Sequence, residues 1–472
     1  MKSLYRLLVC ALLLLLLSCG GGGGTLGLVA SGGDGGGVGT GGTGIVAGTV
    51  TGLGSVIVDG TRFDDSQAAL ESRPDLVTAV PLALADLQVG QYAYVDLDAS
   101  ATAVRVRIAS QLVGSAADVD ASGGRFTVWG QPVAINTDAT RGPVTVLAGY
   151  GSVAELRTGD PVQVYGVLQA GAGAGELVRA TRIEKLSAVG ALPARLTGTL
   201  QAGANGALLL AGRPLDASGA SAAPPLAAGT AVTVIVPWTA TLPARWQASA
   251  AALLAPAASS QLQVSGAVHL LPGGVAVVQG VAVDTSALAS DQRDALREGT
   301  YLTISGHSRS GDGSSAVAAG VQGVPQGGRD AQLRGAITAV TGPSRFVVRG
   351  QSVDATAAQF DGGSAASLVV GRYVEVDGPQ TATGVLARKV KVPDAPPDRA
   401  VLEITGVVRS VDAAARQVRL QDADGATTLL VLPAGMALPA VGQTVRAEGY
   451  WDGSALQVRE IEQREDRSGS GR

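Results

Sequence analysis

Between Gln332 and Val392 the chain alternates apolar with polar or small residues in short runs: Leu333-Arg334-Gly335-Ala336-Ile337, Phe346-Val347-Val348-Arg349-Gly350, Ser352-Val353-Asp354, Gly371-Arg372-Tyr373-Val374-Glu375-Val376 and Val385-Leu386-Ala387-Arg388-Lys389-Val390. A period of two is that of a half-buried strand, and Gly, Asp or Pro bounds each run. The stretch predicts a small all-β unit. The rest of the chain, from residue 44 onward, reads as looser copies of it.

Six copies align on a Gly in the opening strand: Gly48, Gly114, Gly198, Gly266, Gly335 and Gly406, at spacings of roughly 66 to 84 residues. The residues two before and two after each Gly are apolar, as in Val46 and Val50 or Leu333 and Ile337. All three positions therefore share the inward face, and an inward Gly marks a sharp bend or a close backbone approach. A second landmark recurs at Gly90, Gly159, Gly229, Gly299, Gly371 and Gly442, with inward residues three and five positions later. Between the landmarks, copies one to five carry a strand ending in Gly60, Gly130, Gly212, Gly280 or Gly350, then a tight turn and a short returning strand. In the fourth copy, Ser286 to Glu298 predicts a short helix, with Ser290 or Asp291 as N-cap. Copies one and two have room for a helical turn at Asp86-Leu87 and Glu155-Leu156.

The expected fold is all-β, a tandem of small five-stranded OB-like barrels, each with room for one short helix. An open SH3-like roll and a sandwich of paired copies are the alternatives. The expected units are 44–110, 111–188, 193–256 (the most divergent, with Pro237-Trp238 where a Gly is expected), 259–324, 329–394 and 399–466, with a polar tail 467–472. The order Leu-x-Gly-x-Ile, strand-turn-strand, Gly-x-x-Val-x-Val-x-Gly, closing strand resembles the family named domain of unknown function 5666. Gly371 to Gly378 with Ala387 to Val390, and Gly159 to Gly166 with Ala180 to Ile183, carry that resemblance. It implies a β domain found singly or in tandem, often in bacterial lipoproteins, and no catalytic residues.

The N-terminus changes the picture from a soluble array to an anchored one. Lys2 and Arg6 precede an apolar run, Leu7 to Leu17, too short to span a bilayer and laid out as a signal peptide. Leu16-Leu17-Ser18-Cys19 resembles a lipobox, which implies a lipoprotein signal peptide at 1–18, cleavage before Cys19 and acylation of that residue. By the same resemblance, Gly20 rather than Asp after the Cys implies the outer membrane. Residues 19–43 are mostly Gly and predict a flexible tether with a reach of about 25 to 30 Å. Cys10 leaves with the signal and Cys19 takes lipid, so no disulfide is expected.

Net charge is −4, and loss of Lys2 and Arg6 takes it to −6, which argues against nucleic acid as a partner. No cofactor or metal is expected: the two histidines, His269 and His307, are far apart in sequence, and Asp422-x-Asp424-Gly425 lacks the later Glu of a calcium loop. Gly306-His307-Ser308-Arg309-Ser310 misses the second Gly of a nucleophile elbow. Two recurrent positions are candidate ligand contacts. Asp64, Asp216, Asp284 and Asp354 each follow the hairpin Gly by four residues, and would either display a carboxylate or bond the backbone where the short strand ends. Tyr92, Tyr301 and Tyr373 follow their landmark Gly by two and are expected on the outward face, to stack on sugars or pack against a neighbouring copy. The expected function is a non-enzymatic cell-envelope lipoprotein, a string of barrels extending from the membrane as scaffold or as binding surface for a protein or polysaccharide. A polysaccharide-binding protein using those Tyr and Asp positions is the second expectation, and a hydrolase centred on His307 the third.

Overall fold

The computed structural model describes residues 44–463 except 66–67, 84–85, 171–174, 222, 324–329, 394–400, 423–426, 434 and 452–454. Cys19, the signal segment and the tether lie outside the described residues, as do Asp424, Gly425 and the tail.

The last unit shows the architecture in its simplest form. Its strands Val401–Asp412, Gln417–Gln421, Thr427–Val431, Thr444–Trp451 and Leu456–Gln463 close into a barrel. The first pairs antiparallel with the second and the second with the third. The third then runs parallel to the fifth, the fifth antiparallel to the fourth, and the fourth returns to the first. This circuit is that of a five-stranded OB-like barrel and leaves no strand edge open.

The same circuit of pairings recurs along the chain. It is complete in unit two, unit four and unit five. In unit three the first and fifth strands are each broken in two, Ala194–Thr199 with Gln201–Ala202 and Trp246–Gln247 with Ala250–Leu253, and the pairings still follow the circuit. In unit one the link between third and fifth strands narrows to one bond, Ala103 N to the Asp64 carbonyl at 2.9 Å.

Both glycine landmarks have a physical reason. The inward Gly of each opening strand lies opposite the residue three past the second landmark: Gly48 opposite Ala93, Gly114 opposite Val162, Gly198 opposite Val232, Gly266 opposite Leu302, Gly335 opposite Val374 and Gly406 opposite Val445. The second Gly has φ between +72° and +95° in all six units, the left-handed region that an L side chain resists. It donates its N–H across the barrel to the residue two past the first landmark, from Gly90 N to the Val50 carbonyl (2.8 Å) through Gly442 N to the Val408 carbonyl (2.8 Å). The return bond, such as Val50 N to the Gln91 carbonyl at 2.8 Å, closes the pair. A barrel whose first and fourth strands are locked at this point has its register set for the rest of the ring.

The helix of unit four is shorter than its sequence pattern suggests, Ser290–Ala295, and its N-cap is Ala289, which offers no side-chain acceptor. Unit two has a 3-10 turn at Val153–Glu155.

The larger difference is in how the units meet. They are not strung out. The opening strand of unit one, Gly44–Leu53, is buried at every position. It pairs in parallel with unit four (Gly44 with Gln261 through Ala47 with Val264) and then with unit five (Gly52 with Gln332, Leu53 with Leu333). One apolar cluster runs from unit one through unit five, another joins units two and three, and a third joins unit four to Ala47, Tyr92 and Tyr94 of unit one and Val167 of unit two. With only 3% aromatic residues, each barrel has a thin core. Packing barrel on barrel buries the outward faces as well, which a small unit needs.

The two landmark glycines should fail in different ways. A Cβ at Gly114 would sit 2.3 Å from Trp129 Nε1, whereas at Gly442 it would meet nothing within 4 Å. Gly442→Ala should therefore cost only the strain of a left-handed residue, about 1–2 kcal/mol, and Gly114→Ala clearly more. Thermal melts of the two variants check the order.

Candidate functional site

In units one to five, strands two and three are joined by a two-residue turn with both residues left-handed: Asp59-Gly60, Trp129-Gly130, Ala211-Gly212, Gln279-Gly280 and Arg349-Gly350, with φ of 47° to 56° at the first residue and 70° to 84° at the Gly. This is the type I′ hairpin turn, whose twist matches the flanking strands. In units one, two, four and five the first turn residue lies over the inward Gly of the opening strand, where a side chain would collide with it: a Cβ at Gly48 would lie 2.2 Å from Asp59 Oδ2, and one at Gly335 would lie 3.3 Å from Arg349 Nε. In unit three the place over Gly198 is taken by Leu210, Glu176 and Gln131.

The first turn residue differs in every unit, and in at least three it reaches a neighbour. Trp129 donates its indole N–H to the Val113 carbonyl at 2.7 Å and packs edge-on against Trp238 and Trp246 of unit three. Gln279 of unit four accepts from Leu168 N at 3.0 Å and donates to the Gly166 carbonyl, both in unit two. Asp59 of unit one accepts from the Tyr301 hydroxyl of unit four at 2.8 Å and from Thr49 N at 3.0 Å. The glycine of each turn is marked in the sequence by its recurrence, whereas the residue before it is not, because it varies. The signal was present as five X-Gly pairs with a variable X at a constant place.

The Asp59 cluster is the most tightly built of these contacts. Tyr301 also bonds Thr49 Oγ1 at 3.0 Å, and all three residues are buried. Tyr92, the counterpart of Tyr301 in unit one, donates to the Ser265 carbonyl of unit four at 3.1 Å, so the two units grip each other's opening strands almost reciprocally. Desolvation pushes the Asp59 carboxyl up to about 6, against the lowering effect of the bonds from Tyr301, Thr49 and Ser265.

Burial decides between the two readings of the tyrosines in favour of packing against a neighbouring unit. Tyr92, Tyr301 and Tyr373 do face away from their own barrels, but they are 0%, 3% and 7% exposed because neighbouring chain covers that face. Tyr94, also an outward position, is covered too: its hydroxyl donates to the Leu254 carbonyl at 2.7 Å. None of these rings is free to stack on a ligand in this state.

The aspartates close turns. Asp216, Asp284 and Asp354 accept at 3.0 to 3.1 Å from the N–H two residues on, at Ser218, Ser286 and Thr356. Hydroxyls two residues on add to this at Asp216 and Asp354, and Arg309 and Arg345 reach Asp284 and Asp354. Each carboxyl is held below its ordinary range, chiefly by the hydroxyl and N–H of that same residue. Asp64 is exposed at the equivalent place. The four stand in separate units and form no common cluster, and among the described residues no group of three His, Cys, Asp or Glu could hold a metal ion.

Unit five carries the locked glycine pair, the Arg349-Gly350 turn and the Asp354 turn together. Residues 334–391 match the family model described as Domain of unknown function (DUF5666). No curated protein and no solved structure matches the chain. The DUF5666 stretch contains Gly335, Gly371, Tyr373 and Asp354, so the landmarks of the circuit and both candidate positions fall within it.

The two histidines stand at separate places on unit four. His307 is exposed on the strand Tyr301–Ser308, where a turn rather than a helix follows. His269 pairs with Glu298 at 3.0 Å on the surface of the same unit.

The Asp59 carboxyl links docking to pH. Its folded value lies about two units above its ordinary one, so the native state holds the proton more tightly than the unfolded chain. This group's contribution is fully present below about pH 4 and is lost as pH rises through about 6. The change is about 3 kcal/mol at 1.36 kcal/mol per unit. Asp216, Asp284 and Asp354 act in the opposite sense, losing stability as pH falls, so the comparison must be with Asp59→Asn. The stability of wild type relative to that variant should decline from pH 4 to 7, as read by chemical denaturation at each pH.

Proposed function

We propose that this chain is a non-enzymatic lipoprotein of the bacterial cell envelope, in which lipid on Cys19 anchors six OB-like barrels, the first five mutually braced, that serve as a scaffold. The observation that carries this reading is the fate of the variable positions. Where the units differ, at the hairpin residues Asp59, Trp129 and Gln279 and the outward Tyr92 and Tyr301, the side chains dock one barrel on another. Residues that a tandem array of independent binding modules would present to ligand instead hold the array together.

The anchor rests on the Leu16-Leu17-Ser18-Cys19 run. Among the described residues no helix is long and apolar enough to cross a membrane. In this reading the Gly-rich segment 19–43 separates the anchor from the first barrel strand, and Gly20, rather than Asp, after the Cys is what favours the outer membrane. The partner is a protein or polysaccharide of the envelope.

Two experiments test the reading. Cys19→Ser should shift the protein from the membrane to the soluble fraction, and unchanged fractionation would remove the anchor. Tyr301→Ala, a substitution in unit four, should raise amide exchange in the opening strand of unit one as well as in its own barrel. Exchange confined to unit four would mean independent modules.

A further inference from the structure

The loop that carries the second landmark glycine is a part with which one barrel of this chain docks on another. In unit one it is Val89-Gly90, seated on the fifth strand of unit two, Glu176–Lys185. Thr181 Oγ1 donates to the Gly90 carbonyl at 2.6 Å and Arg182 to the Val89 carbonyl at 3.1 Å. Val89 joins Val146 of unit two in one apolar cluster and is 3% exposed. Unit four uses the same strand two residues away, where Arg179 donates to the Gly299 carbonyl at 3.0 Å. Thr181 is the bulged residue of that strand, skipped between the pairs Tyr165 with Arg182 and Gly166 with Ala180, and a bulge re-aims its side chain.

Both halves of this contact occur again, exposed. In unit five the residues before Gly371 are Val369 and Val370, 52% and 42% exposed, with Val370 in the place of Val89. Unit six has Val441 in that place, preceded by the small Ala440, so unit five offers the larger apolar loop. In the fifth strand of unit one, Ala103–Ile108, the bulged residue is Val104, skipped between the pairs Asp96 with Arg105 and Leu97 with Ala103, and 46% exposed. Arg105 then holds the place of Arg182, and Ala69, paired beside it, the place of Val146. Arg182 donates to the loop carbonyl while ion-paired with Glu184; Arg105, ion-paired with Asp96 at 3.2 Å, is half exposed. The other fifth strands lack this pairing of an uncharged bulge with an arginine. Units three and four have Ala250 and Gly320 in the arginine's place, and units five and six put Arg388 and Arg459 where Val104 stands.

We propose that the Val369-Val370 loop of one copy of this protein docks on the Val104-Arg105 strand of a second copy, as Val89 docks on unit two. The valines cover Val104 and Ala69, and Arg105 donates to the Val370 carbonyl. A second copy is the occupant because loop and strand are both surfaces of this chain, matched to a pair that meets inside it, and each is exposed in the single chain. The contact goes beyond the scaffold reading and does not rest on it, since five barrels brace one another within each copy whether or not copies associate.

Sedimentation of the full chain in detergent tests it, with disulfide trapping as the second measurement. The wild type should self-associate, and Val370→Glu and Val104→Glu should each raise the dissociation constant about tenfold or more with an unchanged melting curve. Val189→Glu, on the exposed link between units two and three, should leave association as it is. On oxidation, Val370→Cys mixed with Val104→Cys should give a linked pair, and Val370→Cys mixed with Val189→Cys should not. If Val104→Glu does not fold, Val370→Glu and the trapped pair decide. A wild type that stays monomeric up to about 100 μM, equal loss with Val189→Glu, loss with Val441→Glu in place of Val370→Glu, or no trapped pair would each overturn the assignment. So would unchanged association of Val370→Glu together with its loss, in the Cys19→Ser chain, of binding to phosphatidylethanolamine–phosphatidylglycerol vesicles, which would put a bilayer on the loop. None of those results bears on the lipid anchor or on coupled exchange between units.

Discussion

The structure depends on one close approach repeated around the molecule: a glycine on the inward face of each opening strand, with the first residue of a left-handed hairpin turn lying over it in units one, two, four and five. Because the glycine contributes no side chain, the turn can fold back onto the strand. Because the turn is type I′, its first residue is forced into a conformation that aims its side chain across the strand and out of the barrel. The second landmark glycine, left-handed in all six units, fixes the fourth strand against the first by a reciprocal pair of backbone bonds. Between them these contacts set the register of the ring without help from large side chains. A chain with 67 glycines and 3% aromatic residues can close a barrel on those terms.

A barrel closed by backbone geometry has a thin interior and leaves much of its stability to what covers it. Here the cover is another barrel. The opening strand of unit one is shared, its first half pairing with unit four and its last residues with unit five, so a surface that would otherwise be an edge becomes the middle of a sheet. The polar atoms carried into that interface are hydrogen-bonded: Tyr301 to Asp59 and Thr49, Tyr92 to Ser265, and Ser265 to Thr303. A buried network is worth having only when its members are paired, and this one is. Arg195, buried where units one, two and three meet, follows the same rule with its terminal N–H groups bonded to Ser110, Arg73 and Pro74 oxygens, leaving Nε without an acceptor.

Much of the local structure was legible in the residues. Alternation with a period of two marked the strands, the recurrent glycines marked both landmarks, and the turn-closing role of Asp216, Asp284 and Asp354 follows from what a short acidic side chain does at the end of a strand. The short helix was visible at Ser290–Ala295, though with a different cap, because Ala289 takes the position by its extended backbone rather than by a side-chain bond. The site was less legible. Tyr92, Tyr301 and Tyr373 were placed on the correct side of their strands, and nothing local could say that a second barrel lies against that side.

The sequence alone therefore determined an all-β chain, the positions of its turns and the inward glycines of its opening strands, because these follow from short-range rules: alternation, glycine at positive φ and hairpin chemistry. Tertiary structure alone decided that the barrels share strands instead of standing apart, that the outward tyrosines become interface, and that Arg195 is buried where units one, two and three meet. Those outcomes bring together residues far apart in the chain, Asp59 with Tyr301 and Arg73 with Arg195, and a residue carries no local mark of what will be packed against its outer face.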